Sequence, residues 1–389
     1  MIRRAFAAAA LIAALAAAIP AAQGAPILGA QPDVHGLGGG YLGFWAKGSE
    51  QREWNCYVAQ LRAVVLKQRD PARYLPGLDN LARASGGFLE ANCHMLMHVV
   101  GRAYARKHHV TLENLQRYLP LSNDPGCSAG FGMGLVMALS PQITQGGAKG
   151  ANAICRKAPT RMRNYTCYHS LGHAYMRFFH GGLKYSLDAC RALGKQALDC
   201  EQGSFHDYWL ARSGEDGAEF SKSEPATARR LCAPRRGLVA VACWYRYYLS
   251  LPPKHAPSTP ARILGLCHGL DGFQREGCVA AASLVSSTNA NTQFSICARL
   301  PAGDVDSCMR GVGTQNLTDA IFAGRKLIRR CAHVASAARL GCFRWFGTAL
   351  TVVSDGQFAK LGCRTLKSAP RAACLAGARR AADPLVTFA

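Results

Sequence analysis

Two pairs of histidines, His94/His98 and His169/His173, are the residues of this 389-residue chain best suited to chemistry. Residues four apart on a helix share a face. Two imidazoles so placed form a ready grip on a metal ion. Each pair closely follows a cysteine, Cys93 or Cys167, and chance placement of twelve histidines would give fewer such pairs. His180 would extend the second stripe, His206 is a further candidate ligand, and Cys93 or Cys127 could add a thiolate if unpaired. Imidazole donors in this number suit zinc or copper. A non-covalent bis-histidine haem is an alternative cofactor, with Met95, Met97 and Met176 to line its pocket or to suit Cu(I); no C-x-x-C-H haem-attachment run is present. The same stripes could instead serve structure alone, with no cofactor. Positions 95–97 and 170–172 hold no acid, so the glutamate base of an H-E-x-x-H peptidase is missing. Asp207, beside His206, is the nearest acid that could stand behind a ligand or act as a base.

The elements that must position these residues are marked by the cysteines. From Cys155 onward they fall in pairs: 155/167, 190/200, 232/243, 267/278, 297/308, 331/342 and 363/374. Five of these pairs are 11 apart, and successive pairs begin 30 to 42 residues apart. A period in this range marks helical hairpins, each burying one face against the next. Apolar runs such as Cys243-Trp-Tyr-Arg-Tyr-Tyr-Leu begin at the second cysteine, and turn-forming residues such as Leu-Pro-Ala-Gly-Asp lie between the two. Each pair therefore predicts the end of one helix, a turn, and the start of the next, stapled by a disulfide. The spacing is too wide for the C-x2-4-C of zinc sites. Seventeen cysteines leave at least one thiol over, among Cys56, Cys93 and Cys127.

A longer repeat underlies the histidines. Cys93 to Cys167 is 74 residues and Cys127 to Cys200 is 73. Residues from about 86 to 210 thus read as a duplicated two-hairpin unit. The glycines of Gly130-Phe-Gly-Met-Gly134 lack the lysine and preceding strand of a phosphate loop and read as a helix-packing surface. Trp244 to Tyr248 reads as one face of an amphipathic helix. The expected fold is all-α: disulfide-stapled helical-hairpin repeats in an α-solenoid-like array. In architecture alone, over roughly residues 150–380, this plan resembles tetratricopeptide-type helical arrays. Their Trp, Leu-Gly, Tyr, Ala and Pro positions are not reproduced, and no functional residue carries over.

Residues 1–24 read as a secretory signal, with Arg3 and Arg4 ahead of an apolar Ala/Leu/Ile run and a cleavage point near Gly24/Ala25. Residues 25–50 read as a flexible lead-in, 51–250 as a histidine-bearing half, and 251–389 as a cysteine-paired half, with the Pro-rich stretch Leu251–Pro260 at their boundary. No later segment is apolar enough to span a bilayer, so the expected place is the periplasm or the outside of the cell. The formal charge of +23 favours acidic surfaces, but its residues are scattered and no nucleic-acid motif is present. Hydrophobic content of 49% excludes a wholly disordered chain. Three functions remain: a binding scaffold with a histidine-lined metal or cofactor site; a metal-dependent enzyme, such as an oxidoreductase, on the same histidines; and a metal-free scaffold for an acidic protein or polymer partner.

Overall fold

The computed structural model describes residues 49–85, 87–120, 126–158, 161–210, 224–251, 257–287, 290–315, 331–334, 336–354 and 362–379. The signal read at 1–24, the lead-in up to residue 48, and residues 252–256 of the Pro-rich stretch lie outside them. Among the described residues there are helices and no strand. The helices that matter for the argument are α1 (Ser49–Val65), α2 (Pro71–Ser85), α3 (Gly87–Lys107), α4 (Cys127–Ala138), α5 (Arg161–Phe178) and α6 (Ala197–Leu210). Beyond them lie α7 (Gly237–Leu249), α8 (Gly272–Leu284), α9 (Ala302–Gln315), α10 (Ser336–Ser354) and α11 (Ser368–Arg379).

The cysteine ruler reads the hairpins correctly. All seven short-range pairs are bonded, from Cys155–Cys167 to Cys363–Cys374. Where the preceding residues are described, the first cysteine stands at the end of a short helix, such as Pro225–Cys232 or Ala290–Cys297, and the second lies within the following longer helix. Proline opens two of the short helices, at Pro225 and Pro260, where its missing N–H is not needed. An eighth bond joins Cys93 of α3 to Cys127 of α4 across 34 residues. Neither can therefore supply the thiolate ligand expected of it. Cys56 is the free thiol and accepts a hydrogen bond from Gln60 Nε2 at 3.1 Å.

The longer helices pack each on the next, from α5 through α11. Glycine seams set how closely. An added Cβ at Gly311 would lie 1.9 Å from the Ala280 carbonyl oxygen, and one at Gly377 would lie 1.7 Å from that of Arg344. Ion pairs reinforce the same contacts, with Arg275 gripping both carboxylate oxygens of Asp304 at 2.7 Å. The row folds back on itself, since Met162 and Tyr165 of α5 share an apolar cluster with Phe343 and Phe346 of α10. α4 is fixed by Asp79 of α2, which accepts the Ser128 N–H at 2.9 Å and the Ser128 hydroxyl. This carboxylate occupies the capping place at the α4 N-terminus.

Trp244 to Tyr247 depart from the amphipathic reading. All four are buried, because α6 and α8 flank α7 on both sides. Even Arg246 is only 1% exposed.

The tightest seam in the histidine-bearing half joins α5 to α6. A Cβ at Gly203 would meet the His169 carbonyl oxygen at 1.9 Å, and one at Gly172 would meet that of Cys200 at 2.1 Å. Both obstacles are backbone, so neither can rotate away. Gly203→Ala is expected to force α5 and α6 apart and to cost at least about 1–3 kcal/mol, read as a lower denaturant midpoint. Gly77→Ala is the control, since it has open space around it and sits exposed within α2. It should hold or raise the midpoint. Equal midpoints for both variants would show that the seam is not load-limiting.

Candidate metal centre

Five histidines from α3, α5 and α6 converge. α5 presents His169 and His173 one turn apart, and α6 brings His206. Their ligand atoms all lie within 4.8 Å of one another, and all three side chains are buried. The register follows from the glycine seam: with the His169 carbonyl seated on Gly203, the next turn of α6 places His206 beside the imidazoles. His169 Nε2 and His206 Nδ1 are 3.3 Å apart. Two nitrogens held about 2.0–2.1 Å from a tetrahedral ion stand about 3.3 Å apart. The widest separation in the group must close further for all three to share one ion.

His94 and His98 of α3 form the other pair, with their Nε2 atoms 3.2 Å apart. The His98 and His173 rings meet edge to face at 5.3 Å between centroids. The two stripes therefore face each other, as a shared centre requires. His98 is buried and His94 half-buried. His180 does not join them. It lies beyond the end of α5, exposed, with a left-handed φ of 49°.

Partners behind the ring nitrogens decide which nitrogen is available. The Tyr165 hydroxyl has one proton, given to Gln202 Oε1 at 2.7 Å. It must then accept from His169 Nδ1–H at 2.9 Å, which leaves the His169 Nε2 lone pair toward the cluster. His173 Nδ1 donates to Asp207 Oδ1 at 2.6 Å. Its Nε2 is buried and has no hydrogen-bond partner among the described residues. A carboxylate or hydroxyl behind an imidazole is the arrangement that orients metal-ligating histidines and raises their basicity. In the metal-free geometry His206 Nδ1–H points its proton at His169 Nε2. An ion between them would require the His206 proton on Nε2.

The electrostatics keep His98, His169 and His206 neutral. Burial, then His94, His173, Arg102 and Arg177, hold His98 well below the usual imidazole range. Burial, then His173, Arg246 and His94, do the same for His169. For His206 the order is burial, Arg246, His173, His169 and His98. A neutral imidazole is the form that binds metal.

Sequence reasoning placed the five histidines and Asp207 but missed Tyr165, Gln202, Arg102, Arg177 and Arg246. A signal for three of them was present. Tyr165 stands four residues before His169, Arg177 four after His173, and Arg102 four after His98, so both stripes continue at helical spacing. Nothing in the sequence pointed to Gln202 or Arg246, which reach the centre from other helices.

Asp207→Asn keeps the size and an acceptor for His173 but removes the charge. It is expected to weaken zinc binding about 10–100-fold, measured by competition with a chelator of known affinity. Unchanged affinity would leave Asp207 with a purely structural contact.

No protein-family model, curated protein or solved structure matches the chain.

Proposed function

We propose that this is an exported metal-binding protein: a disulfide-stapled helical array that carries a zinc or copper ion on His169, His173 and His206. One observation carries the reading. Three buried imidazoles converge, and two are backed by Tyr165 and Asp207 so that their Nε2 lone pairs face the cluster. A buried polar nitrogen left without a partner, as His173 Nε2 is among the described residues, is costly, and an ion would satisfy it. The same arrangement speaks for a bare ion over haem. A porphyrin needs imidazoles on opposite faces of a wide macrocycle, whereas these rings meet edge to face. Export fits eight disulfides, which persist in oxidising compartments. Among the described residues no helix is long and apolar enough to cross a membrane.

Three protein ligands leave a fourth position for water or substrate, the form of a catalytic zinc site. That supports an enzyme as the second reading, with Asp207 orienting a ligand from behind His173.

Elemental analysis and a visible spectrum test the assignment on full chain recovered from an oxidising compartment. At least about one zinc or copper per chain is expected, with His173→Ala losing it while keeping its helical circular dichroism. A wild-type chain that neither carries nor takes up metal overturns the reading. A basic scaffold for an acidic partner then becomes the better account.

A further inference from the structure

The duplicated unit makes a comparison inside one chain possible. The His94 carbonyl oxygen rests on Gly130 of α4, where an added Cβ would come within 2.0 Å. The His169 carbonyl rests on Gly203 of α6 in the same way, within 1.9 Å. These two contacts superpose α3/α4 on α5/α6 without using the cysteines. His94 then matches His169, and His98 matches His173. Three residues beyond each glycine, Met133 of α4 takes the place of His206. Four beyond, Gly134 takes the place of Asp207.

The geometry points to a second metal position on His94, His98 and Met133, softer than the first and suited to Cu(I). It deepens the reading given under Proposed function and rests on it for the template. Three observations support it. The His94 and His98 Nε2 atoms, 3.2 Å apart, span one edge of a coordination polyhedron by themselves. Among the described residues, the group whose ligand atoms all lie within 4.8 Å of one another is His169, His173 and His206. That group does not include His94 or His98, whose own Nε2 atoms stand at the spacing one ion requires. Met133 is fully buried on the helix packed against α3.

The donor sets differ in the way metal selectivity requires. A thioether with two imidazoles favours Cu(I), whereas imidazoles alone suit zinc as well. Charge acts in the same direction. The second unit sets the Asp207 carboxylate behind a ligand, which offsets a divalent ion. The first unit has a glycine there, and Arg102 adds positive charge one turn beyond His98. A monovalent ion is the better match. His94, half-buried, gives this position an approach from solvent that the inner histidines lack.

The test is anaerobic titration of the full, disulfide-intact chain with Cu(I) presented as its bicinchoninate complex, alongside zinc titration. The wild type should take two Cu(I) but one zinc. Met133→Leu, which preserves core volume, should take one Cu(I) and still one zinc. Met133→His should raise zinc uptake from one to two. One Cu(I) together with one zinc in the wild type, or two Cu(I) retained in Met133→Leu, overturns the second position and leaves the first intact. Absence of zinc binding in a wild type that takes one Cu(I), lost in His94→Ala, would instead overturn the His169/His173/His206 assignment.

Discussion

Reducing the disulfides is expected to unfold the chain outright. In the chain-entropy account each loop of 10 to 12 residues contributes about 3 kcal/mol, and the 34-residue loop closed by Cys93–Cys127 about 4 kcal/mol. Eight such constraints together amount to roughly 25 kcal/mol, against a net stability of about 5–15 kcal/mol for ordinary proteins. The hairpins give a local reason as well. Several first cysteines sit in or just after a short helix such as Leu183–Arg191 or Pro260–Leu266. Helices this short are marginal by themselves, and the staple holds them on the next helix. Dithiothreitol at neutral pH should therefore collapse the far-ultraviolet helical signal. Before reduction, alkylation of denatured protein should modify Cys56 alone. A reduced chain that still melts cooperatively would mean that the glycine seams and the apolar core suffice.

Single bonds separate structure from site. Cys93→Ala/Cys127→Ala removes the largest loop and loosens α3 on α4, so both stability and metal content should fall. Cys363→Ala/Cys374→Ala costs a similar few kcal/mol, yet it lies on helices that carry none of the histidines, so metal content should hold.

The hairpin plan was legible because a disulfide demands close Cβ atoms and a helix–turn–helix supplies them at one spacing. That logic failed at Cys93 and Cys127. Both look like second members of a pair, and only the packing of α3 on α4 brings them together. The histidine pairs were legible because helical spacing is local. What backs them was not. Tyr165–Gln202 and His173–Asp207 are contacts between α5 and α6, and their register comes from the close backbone approach at Gly172 and Gly203, which no periodicity announces. The extension to His180 assumed a helix that runs on. Instead α5 ends at Phe178, before Gly181 and Gly182. Arg246 lay hidden within an aromatic run that reads as half-exposed until both neighbouring helices are in place.

Metal-free protein is expected to lose stability steeply as the pH falls below about 6.5. His98, His169 and His206 are held neutral in the folded chain, by burial first and then by neighbouring imidazoles and the Arg102, Arg177 and Arg246 guanidiniums. In the unfolded chain they titrate near 6.5. Below that value the unfolded state binds more protons, so the equilibrium moves toward it. Their contribution is whole above 6.5 and is lost as the pH descends toward the depressed folded values. Each histidine adds a slope of about 1.4 kcal/mol per pH unit, and three together about 4 kcal/mol per unit. Asp199 acts in the opposite sense. Burial pushes its carboxyl up to about 6 despite Arg161. Between about 4 and 6 the folded chain therefore holds a proton that the unfolded chain releases. Burial raises Glu201 as well, with the same sign. The loss should thus set in near pH 6.5, be steepest around pH 6 and ease toward pH 5. Urea midpoints of chelator-treated protein at pH 7.5, 6.5, 6.0 and 5.5 give the curve. His206→Phe, which keeps a ring in the cavity, should flatten it by about one proton. Zinc, which competes with protons for the same lone pairs, should shift the whole loss to lower pH. Midpoints that stay level from 7.5 to 5.5 would mean that these imidazoles take up protons in the folded chain as they do in the unfolded one, and the buried neutral rings on which the metal centre depends would not be there.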